Sequence, residues 1–249
     1  MLLLTIARRR NGRAWDRDPV DRRNAYAKPV SKGRGVVRKI LLVCGVLSSL
    51  LYVAMNVLVP MQWEGYSSAS QTVSELSAIG APTRPLWVLL GTVYTVLVTA
   101  FGWGVWVSAG RNRPLRIVGG LMVAYGVISL AWPFAPMHLR GAQFTVTDTM
   151  HIVLAMVTVL LMALAIGLGA AAFGKRFRLY SKATVVNLVA FGALTGLDGP
   201  RIAANLPTPW VGVWERINIG VFLLWVVVLA VALLRRVEMV GPSEPLLRP

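Results

Sequence analysis

The chain has 249 residues, 56% of them hydrophobic and only 14% charged, with a formal net charge of +16. These proportions lie outside the range of water-soluble domains and fit a membrane protein with one helical bundle and no separate globular domain. The placement of the basic residues argues against nucleic acid as the partner, because they gather in alternate loops rather than on one face.

Six apolar runs, at residues 40–59, 86–107, 117–132, 150–173, 183–197 and 217–234, reach or approach the ~20 residues that a membrane-crossing helix needs. The expected fold is therefore all-α, a polytopic bundle of six transmembrane helices. Twelve Lys or Arg precede Ile40; Arg111, Arg113 and Arg116 follow the second run, and Lys175, Arg176, Arg178 and Lys182 follow the fourth. Only Arg84, Arg140, Arg201 and Arg216 lie towards the other side. The positive-inside rule then places both termini in the cytoplasm. Arg outnumbers Lys 21 to 5, a bias of GC-rich bacterial genomes, so the expected location is a bacterial plasma membrane.

Residues 1–39 form a basic tail with no helical apolar period, expected to be disordered. Its opening apolar run is too short for a signal peptide and has no small-residue cleavage site. The six-helix domain covers 40–236, and 237–249 form a second cytoplasmic tail. The single cysteine, Cys44, sits in the first span and reads as a small apolar residue. Asn56, near the outer end of that span, is expected to bond to another helix.

The outer loop 61–85 is the longest, and within it residues 68–79 read as a short interfacial helix, with Val73, Leu76 and Ile79 at helical spacing and Gly80 as the stop. Paired glycines in the middle spans (Gly102 and Gly104, Gly119 and Gly120, Gly167 and Gly169) predict close helix contacts. Pro133 and Pro136 end the third span. The fourth begins near Thr147, with Asp148 in its first turn, where the helix dipole favours a carboxylate. Asp198 falls at the outer end of the fifth, and Thr208-Pro209 reads as the start of the sixth, placing Glu215 and Arg216 about two turns inside it. No repeat of 20 to 50 residues is evident.

The polar residues of the outer side converge in one layer. Glu75, Asp148, His151, Asp198, Arg201, Glu215 and Arg216 are the candidate ligand-binding residues, whereas Glu64, Arg84 and Arg140 read as ordinary wet surface. Asp148 and His151, three apart, share a helix face, so the carboxylate is placed to orient the imidazole as a general base. With Ser74 as nucleophile the three would be the catalytic candidates of a hydrolase or transferase acting on lipid. No metal and no cofactor are expected: there are two histidines, no HExxH pair, and no phosphate-loop or dinucleotide pattern.

The stretch Thr72-Val73-Ser74-Glu75-Leu76-Ser77-Ala78-Ile79-Gly80-Ala81-Pro82, with His151 opening the fourth span and Glu215-Arg216 opening the last, resembles the bacterial integral membrane family known as domain of unknown function 998. The resemblance covers about 40–236. It implies a six-helix membrane domain and no particular activity.

Three functions remain open on the sequence: a binding protein for a small molecule or lipid headgroup at the outer leaflet, with arginine holding an anionic ligand and His151 lending pH sensitivity; the lipid-directed hydrolase or transferase; and a structural partner of another membrane protein. Membrane lipids are the expected surroundings. An open pocket with His151 against Ser74 or a metal would favour the enzyme, a pocket with neither would favour binding, and a closed, fully paired layer would favour the structural partner.

Overall fold

The structure is a computed structural model that describes residues 32–239. The expectations for the first 31 residues and for the last ten fall outside the described residues. Among those described, the fold is all-helical, with six long helices: α1 (Lys32–Leu58), α2 (Arg84–Ser108), α3 (Arg113–Ser129), α4 (Val146–Gly169), α5 (Lys175–Leu197) and, after the single-turn α6 (Gly199–Ala203), α7 (Val211–Met239). Five of the long ones, α1 to α4 and α7, are long and apolar enough to cross a membrane. The protein is thus a multi-pass membrane protein by the composition of its helices. Helix α5 is not among the five, because Lys175, Arg176, Arg178 and Lys182 occupy its first two turns. Helix α1 begins at Lys32, so the last residues of the basic segment before Ile40 are helical rather than irregular.

Each long helix packs on its chain neighbours, and α7 packs on both α5 and α1, which closes the six into a ring in sequence order. The end of the ring that carries α1's start is filled by a core of Phe101, Val118, Met122, Ile166, Phe222 and Trp225. Polar side chains bond across the helices here: Ser49 donates to the Leu223 carbonyl (3.2 Å), Trp225 Nε1 to Ser181 Oγ (3.0 Å), and the Tyr94 and Tyr125 hydroxyls meet at 3.0 Å. Asn56 is not one of them. Its amide donates back to Tyr52 O one turn earlier (3.0 Å), satisfying the N–H within its own helix.

Close approach at the glycines follows the expectation except at Gly167. A Cβ on Gly119 would stand 2.6 Å from the Trp106 backbone nitrogen, and one on Gly102 2.7 Å from that of Val123, so α2 and α3 touch backbone to backbone. Gly169 faces Trp225 at 2.7 Å, whereas Gly167 has nothing within 4 Å.

At the opposite, loop-rich end, residues 59–83 fold over the ring. Val73 and Leu76 pack on Met55, Val59 and Trp87 in a second, smaller core, each fully buried apolar side chain contributing roughly 1.5–3 kcal/mol. The expected helix over 68–79 is reduced to a 3-10 turn, Ser74–Ser77. Its physical cause is competition for the backbone. The carbonyls of Ser68, Ser70 and Gln71 accept from arginine side chains, that of Ala69 accepts from Gly212 N, and the Val73 N–H goes to a carboxylate, leaving no i to i+4 ladder to form. Ile79 N donates to Met137 O (2.8 Å), which lays the second loop, 130–145, along the first.

Gly119→Leu must push α2 and α3 apart and is expected to lower stability by about 1–3 kcal/mol, while Gly167→Ala stays within about 0.5 kcal/mol. Thermal unfolding of both variants in the same detergent would measure this, and equal melting temperatures would contradict the backbone contact.

Candidate functional site

Three loops and the adjoining helix starts build the loop-rich end, and their charges are distributed unevenly. Glu75 is completely buried. Arg140, from the second loop, grips it with two parallel bonds, Nε to Oε1 at 2.6 Å and Nη2 to Oε2 at 2.9 Å. Oε2 also accepts from Thr72 N (2.6 Å) and the Thr72 hydroxyl (3.0 Å). The rest of the guanidinium reaches Ser70 O (2.7 Å) and the hydroxyl of Thr208 (2.6 Å), which itself donates to Ser70 O (2.9 Å). Arg140 is therefore a clamp joining all three loops and not the wet surface residue expected. Thr208, occupied in this way, does not cap the last helix, which starts at Val211 and places Glu215 one turn inside it. A buried carboxylate needs a cation with good geometry; Glu75 sits among buried apolar positions, and that was the one signal in the sequence calling for such a partner.

Arg216 is turned away from its neighbour Glu215. It donates through Nη1 to the carbonyls of Ser68 (2.7 Å), Gly212 (3.1 Å) and Gln71 (3.2 Å) and through Nη2 to the Tyr66 hydroxyl (2.8 Å). Burial pushes the Tyr66 phenol up to about 12, against the opposing pull of Arg216, so it remains a donor to Thr72 O (2.7 Å). Gly212 makes this approach feasible: a Cβ there would lie 2.2 Å from Gln71 O. Arg84 donates to Ser77 O (2.6 Å) and Pro133 O (3.3 Å), a second tie between loops. Asp198 and Arg201 form a loose, exposed pair at 3.8 Å, with Arg201 also on Pro207 O (2.8 and 3.0 Å).

Asp148 and His151 share the face of α4 expected of them, but their partners differ from the acid–base pairing. Asp148 accepts from Thr145 N (2.9 Å) as a helix cap and from both the backbone N (2.7 Å) and the Nδ1 (2.8 Å) of His138. His151 is buried, stacked edge-on against Trp132 (4.9 Å), with Nδ1 2.9 Å from Ala135 O. A carbonyl only accepts, so Nδ1 carries the proton, and in the neutral ring Nε2 is a bare acceptor. That Nε2 makes no hydrogen bond within the described residues. Ser74, the candidate nucleophile, donates to Glu215 Oε1 (3.3 Å) rather than to His151. Among the described residues no three His, Cys, Asp or Glu converge as metal ligands.

Beneath the roof of loops lies a cavity of about 810 Å³. Its walls come from α2, α3, α4, α5 and α7, with Tyr52 of α1, and Tyr94 and Tyr125 line its depth. Of the candidates, Ser74, Asp148, His151 and Glu215 border it; Glu75, Asp198, Arg201 and Arg216 do not. Gly91 and Gly196 also line it, and a Cβ on either would meet nothing within 4 Å. Glu215 accepts from Val73 N (2.5 Å) and Ser74 Oγ, and among the described residues no cationic nitrogen stands within 4.0 Å of it.

A family model described as "Protein of unknown function (DUF998)" matches residues 46–232. The chain belongs to the DUF998 family. The match takes in α2 to α5 whole, the second half of α1 and most of α7, and so the clamp, the cavity and Glu215 all lie within the DUF998 region. No curated protein and no solved structure matches the chain.

Arg140→Met leaves Glu75 buried without a cation, and about 3–5 kcal/mol of stability is expected to go with it; the double variant with Glu75→Gln recovers part of that loss. Arg201→Ala, at an exposed pair, is expected to cost no more than about 1 kcal/mol. A double-mutant cycle on thermal unfolding checks the coupling, and additive losses at Glu75 and Arg140 would refute the clamp.

Proposed function

We propose that the protein is a six-span protein of a bacterial plasma membrane, both termini cytoplasmic, that binds an amphiphile in the cavity at the outer-leaflet end of its bundle. The membrane domain spans 40–236, between the basic tail 1–39 and the short tail 237–249. Helix α5 is the sixth span on this reading: its 23 residues make about 35 Å, enough to cross, and it sits between α4 and α7 in the ring. Its basic first turns then lie at the cytoplasmic surface, where lysine and arginine are favoured.

One observation carries the binding reading. The cavity has the size of sites that hold small molecules, its deeper wall is mainly apolar, with the Tyr94 and Tyr125 hydroxyls bonded to each other, and its charged groups gather under the roof of loops. That is the profile of a lipid or lipid-like molecule lying with its polar end outward. The enzyme reading lacks its contact, since Ser74 bonds to Glu215 and His151 to a carbonyl. A purely structural bundle would have no reason to leave about 810 Å³ open.

Gly91 lies on the same face of α2 as the buried Trp87, Tyr94 and Val98, so a side chain there enters the cavity. Gly91→Leu is expected to narrow it without loss of melting temperature. Native mass spectrometry of the detergent-extracted protein is expected to show a retained amphiphile on the wild type and less of it on Gly91→Leu; a bare wild type, or equal retention, would overturn the reading. For the topology, single cysteines introduced as Glu64→Cys, Asp198→Cys, Arg111→Cys and Lys175→Cys in a Cys44→Ala background separate the sides. The first two are expected to react with an impermeant maleimide on intact cells, and the last two only after permeabilisation.

A further inference from the structure

The chemistry of the amphiphile's polar end follows from what the cavity still offers. An anionic headgroup would need a guanidinium fork turned to the cavity, and the arginines at this end spend theirs on the loops. Arg140 is bound on all sides by Glu75, Thr208 and Ser70. Arg84 is held by Ser77 O and Pro133 O, and Arg216 faces away from the cavity into loop carbonyls. Of the two carboxylates on the cavity wall, Asp148 is filled by His138 and Thr145, whereas Glu215 accepts only from the Val73 N–H and the Ser74 hydroxyl; beside it His151 Nε2 is an unused acceptor, and the Tyr52 hydroxyl also has no partner among the described residues. A carboxylate accepts at about four sites. Glu215 fills two of them with neutral donors, and Arg216 gives it charge at longer range but no hydrogen bond.

We propose that the polar end of the ligand is a primary or quaternary ammonium group on an apolar chain, with Glu215 as its counter-ion and, for a primary amine, His151 Nε2 as a second acceptor. This rests on the cavity being a binding site and names the class of ligand it takes. A charge-assisted N–H···carboxylate bond is roughly twice as strong as a neutral one, and the apolar chain lies along α2, α4 and α5 below. Two sources carry this chemistry: an aminophospholipid, whose ammonium ends the headgroup, and a free alkylamine.

The test uses the full chain in neutral maltoside micelles, titrated calorimetrically with dodecylammonium, dodecanol and dodecyl sulfate, which share one tail. The difference between wild type and Gly91→Leu reports binding in the cavity. Dodecylammonium is expected to bind at least about tenfold tighter than dodecanol, and dodecyl sulfate not to bind in the cavity. Glu215→Gln, whose amide oxygen still accepts from Val73 N, is expected to bring dodecylammonium down to the level of dodecanol, while Glu64→Gln at the exposed loop changes nothing. Competition by phosphatidylethanolamine assigns the site to the lipid, and its failure to compete assigns it to the free amine. Equal binding of the alcohol, preference for the sulfate, or an unaltered Glu215→Gln would each overturn the ammonium assignment while leaving the cavity reading in place. If no probe distinguishes wild type from Gly91→Leu, the cavity reading itself falls. Should Glu215→Gln not survive extraction, the order of the three probes on wild type decides alone.

Discussion

The buried Glu75–Arg140 pair is the constraint on which the loop-rich end depends. A carboxylate with no exposed surface is tolerable only with a cation held in good geometry and with its remaining lone pairs satisfied. Both conditions are met here, and meeting them forces three separate loops together: Glu75 and Ser70 come from the first, Arg140 from the second, Thr208 from the third. The pair adds little net stability compared with apolar packing of the same volume. What it provides is register, since the guanidinium fork fits its four partners in one arrangement only.

That register explains the space beneath. The loops are stapled to each other, and Val73 and Leu76 are drawn over α1 and α2 onto Met55, Val59 and Trp87. They form a roof that rests on the ring's rim and does not descend between α2, α4 and α5. Below, small residues on the facing helices, Gly91 on α2 and Gly192 and Gly196 on α5, do not fill the gap. Arg140 and the candidate Arg216 are committed to building the roof, so neither is placed to hold an anion beneath it.

What the sequence could and could not reveal divides along a physical line. Helix existence depends on local periodicity and length, and the six runs, the start of α4 and the Asp148 cap were legible for that reason. Helical spacing also puts Asp148 and His151 on one face. It does not say which of them a distant loop will engage, and His138 and the Ala135 carbonyl, both from the segment before α4, decided that. Arg140 was misread because charge on a loop is uninformative without knowledge of what it meets. The shortened helix over 68–79 has the same origin: its apolar spacing is real and buries Val73 and Leu76, but its backbone groups found arginine and carboxylate partners first.

Helix α5 shows how a composition rule and a packing rule can disagree without either failing. Hydropathy along the helix rejects it because its first two turns are basic, while its position in the ring is fixed by contacts to α4 and α7. The contacts differ along its length. Towards its basic end Ser181 meets Trp225, and midway the Leu188 carbonyl receives the Asn218 amide (2.5 Å), tying α5 firmly to α7. Beyond that, Ala193, Leu194, Gly196 and Leu197 are exposed. The cavity reaches both sides of the seam between this half of α5 and α4, through Ile152 and Met156 on α4 and Val189 and Ala193 on α5. The two halves of α5 thus answer to different constraints: its basic end excludes it from the apolar helices, while the small residues Gly192, Ala193 and Gly196 of its other half leave the seam with α4 thinly filled at the level of the cavity.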